Sequence, residues 1–250
     1  MMFKKRYKVV VSYNGNRYHG WAKQPKVLTI QQVVEDAFYV VFKQKIKIFC
    51  AGRTDKKVNA LGQVFHFDWN ETFKIRPSTI IKAINRVLPP DIHLIKIYSV
   101  ASNFHARFDA KWRIYQYFIN TGPKYDPLSF SSVYQYNKPL DLKKINQIKK
   151  MFLGRKNFLS FSIDPRKKKK DLIKTIKEIK ITKNKTIIKI EIKGNHFLWS
   201  MVRMIIGCFI ALNENKITKE QIYDCFIHPK KGKSRFRAPA NGLTLYKVIY

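Results

Sequence analysis

Hydrophobic and polar positions alternate along this chain with two periods, 2 and about 3.6, and the switches between them mark out its elements. Residues 7–13 read as a strand ending at the turn signal Asn14-Gly15. Thr29 opens a helix with Gln32 at the capping-box position, and Val33, Val34, Ala37, Phe38, Val41 and Phe42 form its apolar face. Residues 46–50 are a short apolar strand. Residues 62–69 are an alternating one, with Phe65, Phe67 and Trp69 set against Val64, His66 and Asp68. Residues 51–61 between them are predicted as a loop. Pro77 and Ser78 start a second helix that runs to Leu88 and stops at Pro89-Pro90, and residues 92–100 make a closing strand. The order is β-α-β-β-α-β, a ferredoxin-like arrangement.

The second half runs in the same way. Residues 111–119 predict a strand with Arg113, Tyr115 and Tyr117 on one face and Trp112, Ile114 and Phe118 on the other. Asp141 caps a helix that Gly154 ends. Residues 175–182 and 186–193 pair as a hairpin around 183–185. A helix over 197–212 follows, then a short helix capped by Thr218 with Gln221 at the box position, then a strand over 243–250. The chain is thus predicted as α+β, with two ferredoxin-like halves over 1–108 and 109–250. Together they would form a broad, mostly antiparallel sheet with helices on one face and a basic cleft between the halves.

Charge changes this picture most. Fifty Lys and Arg stand against 16 Asp and Glu, a net +34, which points to a polyanionic partner and to nucleic acid first. Lys, Ile and Asn are all plentiful, as in A+T-rich genomes, and that drift accounts for part of the excess. Two basic runs, residues 166–170 and 230–237, fit solvated loops and phosphate contacts equally well. Three cysteines, Cys50, Cys208 and Cys225, form no C-x-x-C pair; a disulfide framework or zinc site is not expected, and a reducing cytosol fits. The most apolar stretch, 197–212, is shorter than a membrane span needs and contains Arg203. A soluble cytoplasmic protein with no membrane partner is expected.

The candidate chemistry lies in the predicted loop, which carries Arg53, Thr54 and Asp55 at its near end. A carboxylate on a loop pinned by strands is a common place for catalysis, and a nearby arginine favours its ionised form. The same triplet also fits an ion pair that merely stitches a turn. His66, His105 and His196 are widely separated, with no metal-ligand spacing among them.

Six stretches stand out in order: YNGNRYHGWAKQ (13–24), AGRTDKKVNALGQVFHFD (51–68) followed by Leu88, Pro89, Asp91 and Ile92, FHARFDA (104–110), RIYQY (113–117), GNHFLWSMVRMIIG (194–207) and APANGL (238–243). Together they resemble the tRNA pseudouridine synthase A (TruA) family. The resemblance runs through essentially the whole chain, in order. It implies an isomerase that needs no cofactor or metal, acts on uridines 38, 39 and 40 of the tRNA anticodon stem-loop, and works as a homodimer. Asp55 would be the catalytic aspartate, with Arg53 in its loop. Tyr115 would stack in the pocket and handle a proton, and Arg203 would pair with Asp55. His105, Arg107, Lys111 and Arg113, in and beside the matching motifs, would join Tyr115 in binding substrate.

The chain departs from the family pattern G-R-T-D-x-G-V-H at Lys57, where glycine is usual, and at Asn59, where histidine is usual. Asn14 replaces an aspartate and Ala22 a glutamine. If the glycine position has φ > 0, Lys57 costs roughly 1–2 kcal/mol of strain. Two rival readings are a non-catalytic RNA-binding module and a hydrolase with paired carboxylates, Asp55 and Asp109.

Overall fold

The computed structural model describes residues 4–70, 75–163 and 172–250. The predicted basic run 166–170 lies outside them. The chain is of the α+β class, and it divides into two compact units, residues up to Lys111 with Thr244–Tyr250, and Trp112–Leu243.

In the first unit β1 (Lys4–Tyr13), β2 (Phe49–Cys50), β3 (Asn59–Asn70) and β4 (Ile92–Val100) run antiparallel in the order β4-β1-β3-β2. The final strand β10 (Leu243–Ile249) adds a short parallel pairing to β3 at Asn59 and Ala60. Helices α1 (Ile30–Phe42) and α2 (Pro77–Val87) complete the unit. The period-2 pattern explains the core: Phe65, Phe67 and Trp69 face α1, with the Phe38 ring 4.9 Å from Phe67 and Phe42 edge-on to Trp69 at 5.0 Å. Tyr7 and Val9 pair with Phe67 and Phe65 and share that face. Their neighbours Arg6 and Lys8 pair with Asp68 and His66 and share the other.

The expected capping box at Thr29 and Gln32 does not form. Thr29 is the N-cap residue, yet its side chain makes no cap bond and its hydroxyl is buried without a partner. The reason is local. The first-turn N–H groups of Ile30 and Gln31 donate to the carbonyls of Gly20 and Trp21 at 3.1 and 3.0 Å, so the orphan donors are met by backbone from an earlier loop. At Thr218 the predicted box with Gln221 is present.

The second unit holds β5 (Trp112–Asn120), β6 (Tyr134–Gln135), β7 (Gly154–Asn157), β8 (Ile173–Asn184) and β9 (Ile187–Gly194). They pair antiparallel as β5-β9-β8-β7, with β6 parallel to β5. The short strands β6 and β7 were not expected. Helix α3 (Leu142–Lys149) is capped by Asp141 as expected, through the N–H groups of Lys143 and Lys144. It ends before Gly154, which instead opens β7 at φ +87.

Helix α4 (Met201–Asn213) is the apolar centre of this unit; it starts four residues later than predicted, after a turn through Leu198. Its Gly207 marks a close approach: a Cβ there would lie 2.6 Å from the backbone of Phe236. Helix α5 (Lys219–Ile227) is closed by the second basic run. Lys233 of that run pairs with the Asp224 carboxylate and donates to the Asp224 and His228 carbonyls. That lysine is a structural cap, while Lys230, Lys231, Arg235 and Arg237 remain exposed. Gly207→Ala is expected to destabilise the protein by about 1–3 kcal/mol despite alanine's better helix propensity. The shift of the urea midpoint measures it.

Candidate active site

The Arg53-Thr54-Asp55 loop is shorter than predicted, because β3 already begins at Asn59. A strap formed by residues 13–21 holds it from one side. The Tyr13 and Thr54 hydroxyls share a buried 2.8 Å hydrogen bond. The Trp21 N–H donates to Thr54 O at 3.1 Å, and the Lys57 N–H reaches Tyr18 O at 3.4 Å. Gly20 sits at φ +90, and a Cβ on it would lie 2.6 Å from Thr54 O, so only glycine lets the strap approach this closely. The Gly15 N–H donates to Asn59 Oδ1 at 2.8 Å, which gives the residue in the usual histidine position a clear task. From the other side Gln63 Nε2 donates to Gly52 O at 2.7 Å and Ala51 N–H to Val64 O at 2.7 Å.

The strap is itself anchored. Tyr18 donates its phenol to Asp91 Oδ1 at 2.6 Å, and the Asn14 N–H donates to Asp91 O at 2.9 Å. Burial and the Asp91 hydrogen bond both push the Tyr18 phenol well above its ordinary value. Within this frame Asp55 is half-buried and Arg53 exposed, and the Val58 N–H closes a turn on Asp55 O at 3.1 Å. Lys57 adopts φ +65, the left-handed conformation that favours glycine.

Across β3 from the loop, the face that carries His66 is covered by residues 104–109. His66 is only 2% exposed, its Nδ1 accepting from the Ala106 N–H at 3.1 Å. His105 Nδ1 accepts from the Arg107 N–H at 3.1 Å, and the His105 N–H donates to Asp109 Oδ2 at 2.9 Å. Asp109, exposed, thus caps its own turn. Arg107 is exposed, with its guanidinium 5.7 Å from the centre of the Phe108 ring, and Lys111 is exposed with its N–H on Ile249 O at 2.8 Å. Burial pushes the Cys50 thiol up to about 11 against the pull of Arg53 and Arg107.

The second unit carries the remaining candidates. Tyr115, on β5, is 9% exposed, and its ring stands edge-on to Phe197 at 5.1 Å. Arg113, on the same face, is buried and donates through Nη1 to Asn195 O at 2.6 Å, beside His196 Nδ1 at 3.4 Å. It holds the turn that presents Phe197 to Tyr115. Arg203 is half-buried on α4; its Nε donates to Ala238 O at 2.8 Å and its carbonyl accepts from the Ala238 N–H at 3.0 Å. Tyr117 donates to Pro239 O at 2.9 Å, so the APANGL segment is clamped by α4 and β5 together. Sequence reasoning quoted that segment and the strap as motifs without assigning either a task. Phe108 and Phe197 stand inside two of the quoted motifs and Phe49 in the strand 46–50, none with a task of its own, since isolated aromatics carry no spacing signal.

Among the described residues no three His, Cys, Asp or Glu side chains are grouped to hold a metal ion, and no helix is long and apolar enough to cross a membrane. A strand-pinned carboxylate in a strongly basic α+β chain suits chemistry on a nucleic-acid base. A family profile described as tRNA pseudouridine synthase matches residues 9–109 and 148–250, and the chain belongs to that family. The tRNA pseudouridine synthase A of Mycoplasma genitalium is 42% identical over 98% of each chain. That of Malacoplasma penetrans is 40% identical over 98% of this chain and 99% of its own, and that of a Thermoanaerobacter species 34% over 97% and 98%.

Two outcomes follow from this geometry. Lys57→Gly should raise stability by roughly 1 kcal/mol, because glycine adopts φ +65 without a Cβ clash; urea unfolding measures it. The second concerns His66, which burial holds down at about 4. Between that value and the ordinary 6.5 the unfolded chain binds the extra proton. The His66 contribution is therefore whole above pH 6.5 and is lost as pH falls towards 4, on the order of 2–3 kcal/mol. His66→Asn keeps an acceptor for Ala106, so its stability should fall less than the parent's between pH 7 and 4.5.

Proposed function

We propose that this protein converts uridine to pseudouridine at positions 38, 39 and 40 of the tRNA anticodon stem-loop, with Asp55 as catalytic nucleophile or base. Membership of the synthase family over nearly the whole chain carries this reading. The hydrogen-bonded frame around the Asp55 loop supports it. The reaction breaks the C1′–N1 bond and forms a C1′–C5 bond in the same nucleotide, with a proton leaving C5 and one arriving at N1. Every atom is kept, so no oxidant, reductant or group donor enters. The target base leaves its stack to react, which calls for an aromatic platform.

Tyr115 is that platform and handles the C5 proton; its edge contact with Phe197 limits its motion. Arg203 pairs with the Asp55 carboxylate and keeps it charged as the base excludes water, and the Ala238 bond fixes the plane of its guanidinium. Arg53 belongs to the catalytic loop. His105, Arg107 and Lys111 bind the substrate, and Arg113 contributes to binding through the turn it holds. The proposal includes a fold of two ferredoxin-like halves, divided near 108, with helices on one face and tRNA in a basic cleft. It also includes a homodimer working in the cytoplasm without cofactor or metal.

The test is an unmodified tRNA transcript incubated with the protein alone, with pseudouridine mapped by chemical blocking and primer extension. Product is expected in the anticodon arm. Asp55→Ala should lower its formation by more than about a thousand-fold while tRNA binding holds within about threefold. Binding without product from the intact protein would make it an RNA-binding module. Release of free uracil would make it a hydrolase.

A further inference from the structure

The strap, helix α1 and the segment leading into the Asp55 loop meet at one carboxylate that the reaction just described does not use. β2 lies at an edge of the sheet and is only two residues long, with Phe49 and Cys50 paired to His66 and Phe65 of β3. The segment that joins α1 to it forms neither helix nor strand. Just ahead of β2, α1 supplies the partner that the short strand lacks. Glu35 Oε1 accepts from the Ile48 N–H at 3.1 Å, and Gln31 Nε2 reaches the Ile48 carbonyl at 3.4 Å. Two side chains thus meet the donor and the acceptor of one residue, as a neighbouring strand would.

Gln31 and Glu35 lie one helical turn apart and share a face of α1. Gln31 Nε2 also donates to Glu35 Oε1 at 2.9 Å, which orients the carboxylate. The other oxygen of Glu35 accepts from Lys23 Nζ at 2.7 Å, and the Lys23 N–H reaches Gln31 Oε1 at 3.4 Å. Lys23 closely follows Trp21, whose N–H holds Thr54 O. The two arms of Glu35 differ in weight. The Lys23 side chain is 50% exposed, and an ion pair so open to water adds little. Ile48 is 2% exposed, so its N–H depends on a fixed acceptor. A cavity of about 320 Å³ opens beside the carboxylate, lined by Lys23, Gln31, Glu35, Lys45, Ile46 and Lys47. Truncating Glu35 therefore lets water reach the Ile48 N–H, which preserves the fold but gives up the fixed partner.

We infer that Glu35 is a positioning residue: through the Ile48 N–H it fixes the lead-in of the loop and with it the place of the Asp55 carboxylate. This rests on the function proposed above and names a residue that the reaction needs away from the reacting groups. The oxygens of Glu35 are taken by three donors, Lys23 Nζ, Gln31 Nε2 and the Ile48 N–H. It acts through backbone and not on the base. Gln31 serves the same end by holding the carboxylate in plane and by meeting the Ile48 carbonyl.

The experiment uses the full chain, single-turnover pseudouridine formation on a tRNA transcript, and amide hydrogen exchange without RNA. Glu35→Ala is expected to slow the single-turnover step about 10- to 100-fold, since misplacement by about an ångström costs that much. Its KM and its affinity for the transcript should stay within about threefold. Exchange should quicken over residues 49–55 and hold at the parent's level over β1 and β4. Glu35→Gln keeps an oxygen for the Ile48 N–H and should return rate and exchange to within about threefold of the parent. Lys23→Ala should keep the rate within about threefold, and so should Asp36→Ala, which removes the exposed acid next along α1. Gln31→Ala leaves the carboxylate without its orienting donor and should slow the step about 3- to 10-fold; it decides the matter if Glu35→Ala does not fold. An unchanged rate or unchanged exchange over 49–55 in these two alanine variants would overturn the assignment. So would equal losses of rate in Glu35→Ala and Glu35→Gln, or a loss of affinity as large as the loss of rate, since Glu35 would then act on the RNA by its charge. Failure of the intact protein to form pseudouridine would strike the proposed reaction alone, because exchange reports on the loop without turnover.

Discussion

The contact that the first unit depends on is the close approach of the strap at Gly20 to the backbone of Thr54. It allows the Trp21 N–H to reach Thr54 O and the Tyr13 and Thr54 hydroxyls to meet out of water. A hydrogen bond removed from solvent is held by the cost of leaving either partner unmet. The loop after Thr54 therefore has little freedom at its base, although it ends in charged and partly exposed side chains. The same strap supplies the Gly20 and Trp21 carbonyls that begin α1. One stretch of backbone thus sets both the carboxylate loop and the main helix of the unit.

Much of this was legible in the alternation of side chains. The faces of β3 and the shared face of Arg113, Tyr115 and Tyr117 on β5 follow from period 2, and β4 runs between the expected residues. What escaped was decided by partners distant in sequence. Thr29 carries the right residue types for a box, yet its helix is started by carbonyls that no local pattern shows. β6 and β7, of two and four residues, are too short for any periodicity. His66 was assigned to the more polar face of its strand and is buried because residues 104–109 cover it. The Asp55 loop was placed correctly between two strands, but its length was overstated. Ala60 and Leu61 interrupt the alternation that would have announced β3.

Charge divides into structural and surface parts in a way that composition hides. Lys233 closes a helix, Arg6 bridges to Asp68, and Arg113 and Arg203 hold backbone carbonyls. Each does a task that needs a donor in one place rather than a field. The excess that remains on the surface is the part that matters for a polyanion. At Lys57 a long basic side chain holds a conformation better suited to glycine.

The pairing of Thr244 and Leu245 with Asn59 and Ala60 joins positions far apart in sequence, at the exit of the Asp55 loop. During synthesis the carboxylate loop leaves the ribosome long before the strand that borders its far end. Until then the first residues of β3 lack this neighbour, and closing so long a loop is among the slower steps available to a folding chain. The Asp55 loop is therefore bordered late, after the intervening unit has emerged. Until that pairing forms, the loop-side end of β3 is an open strand edge, and chaperone demand should centre there.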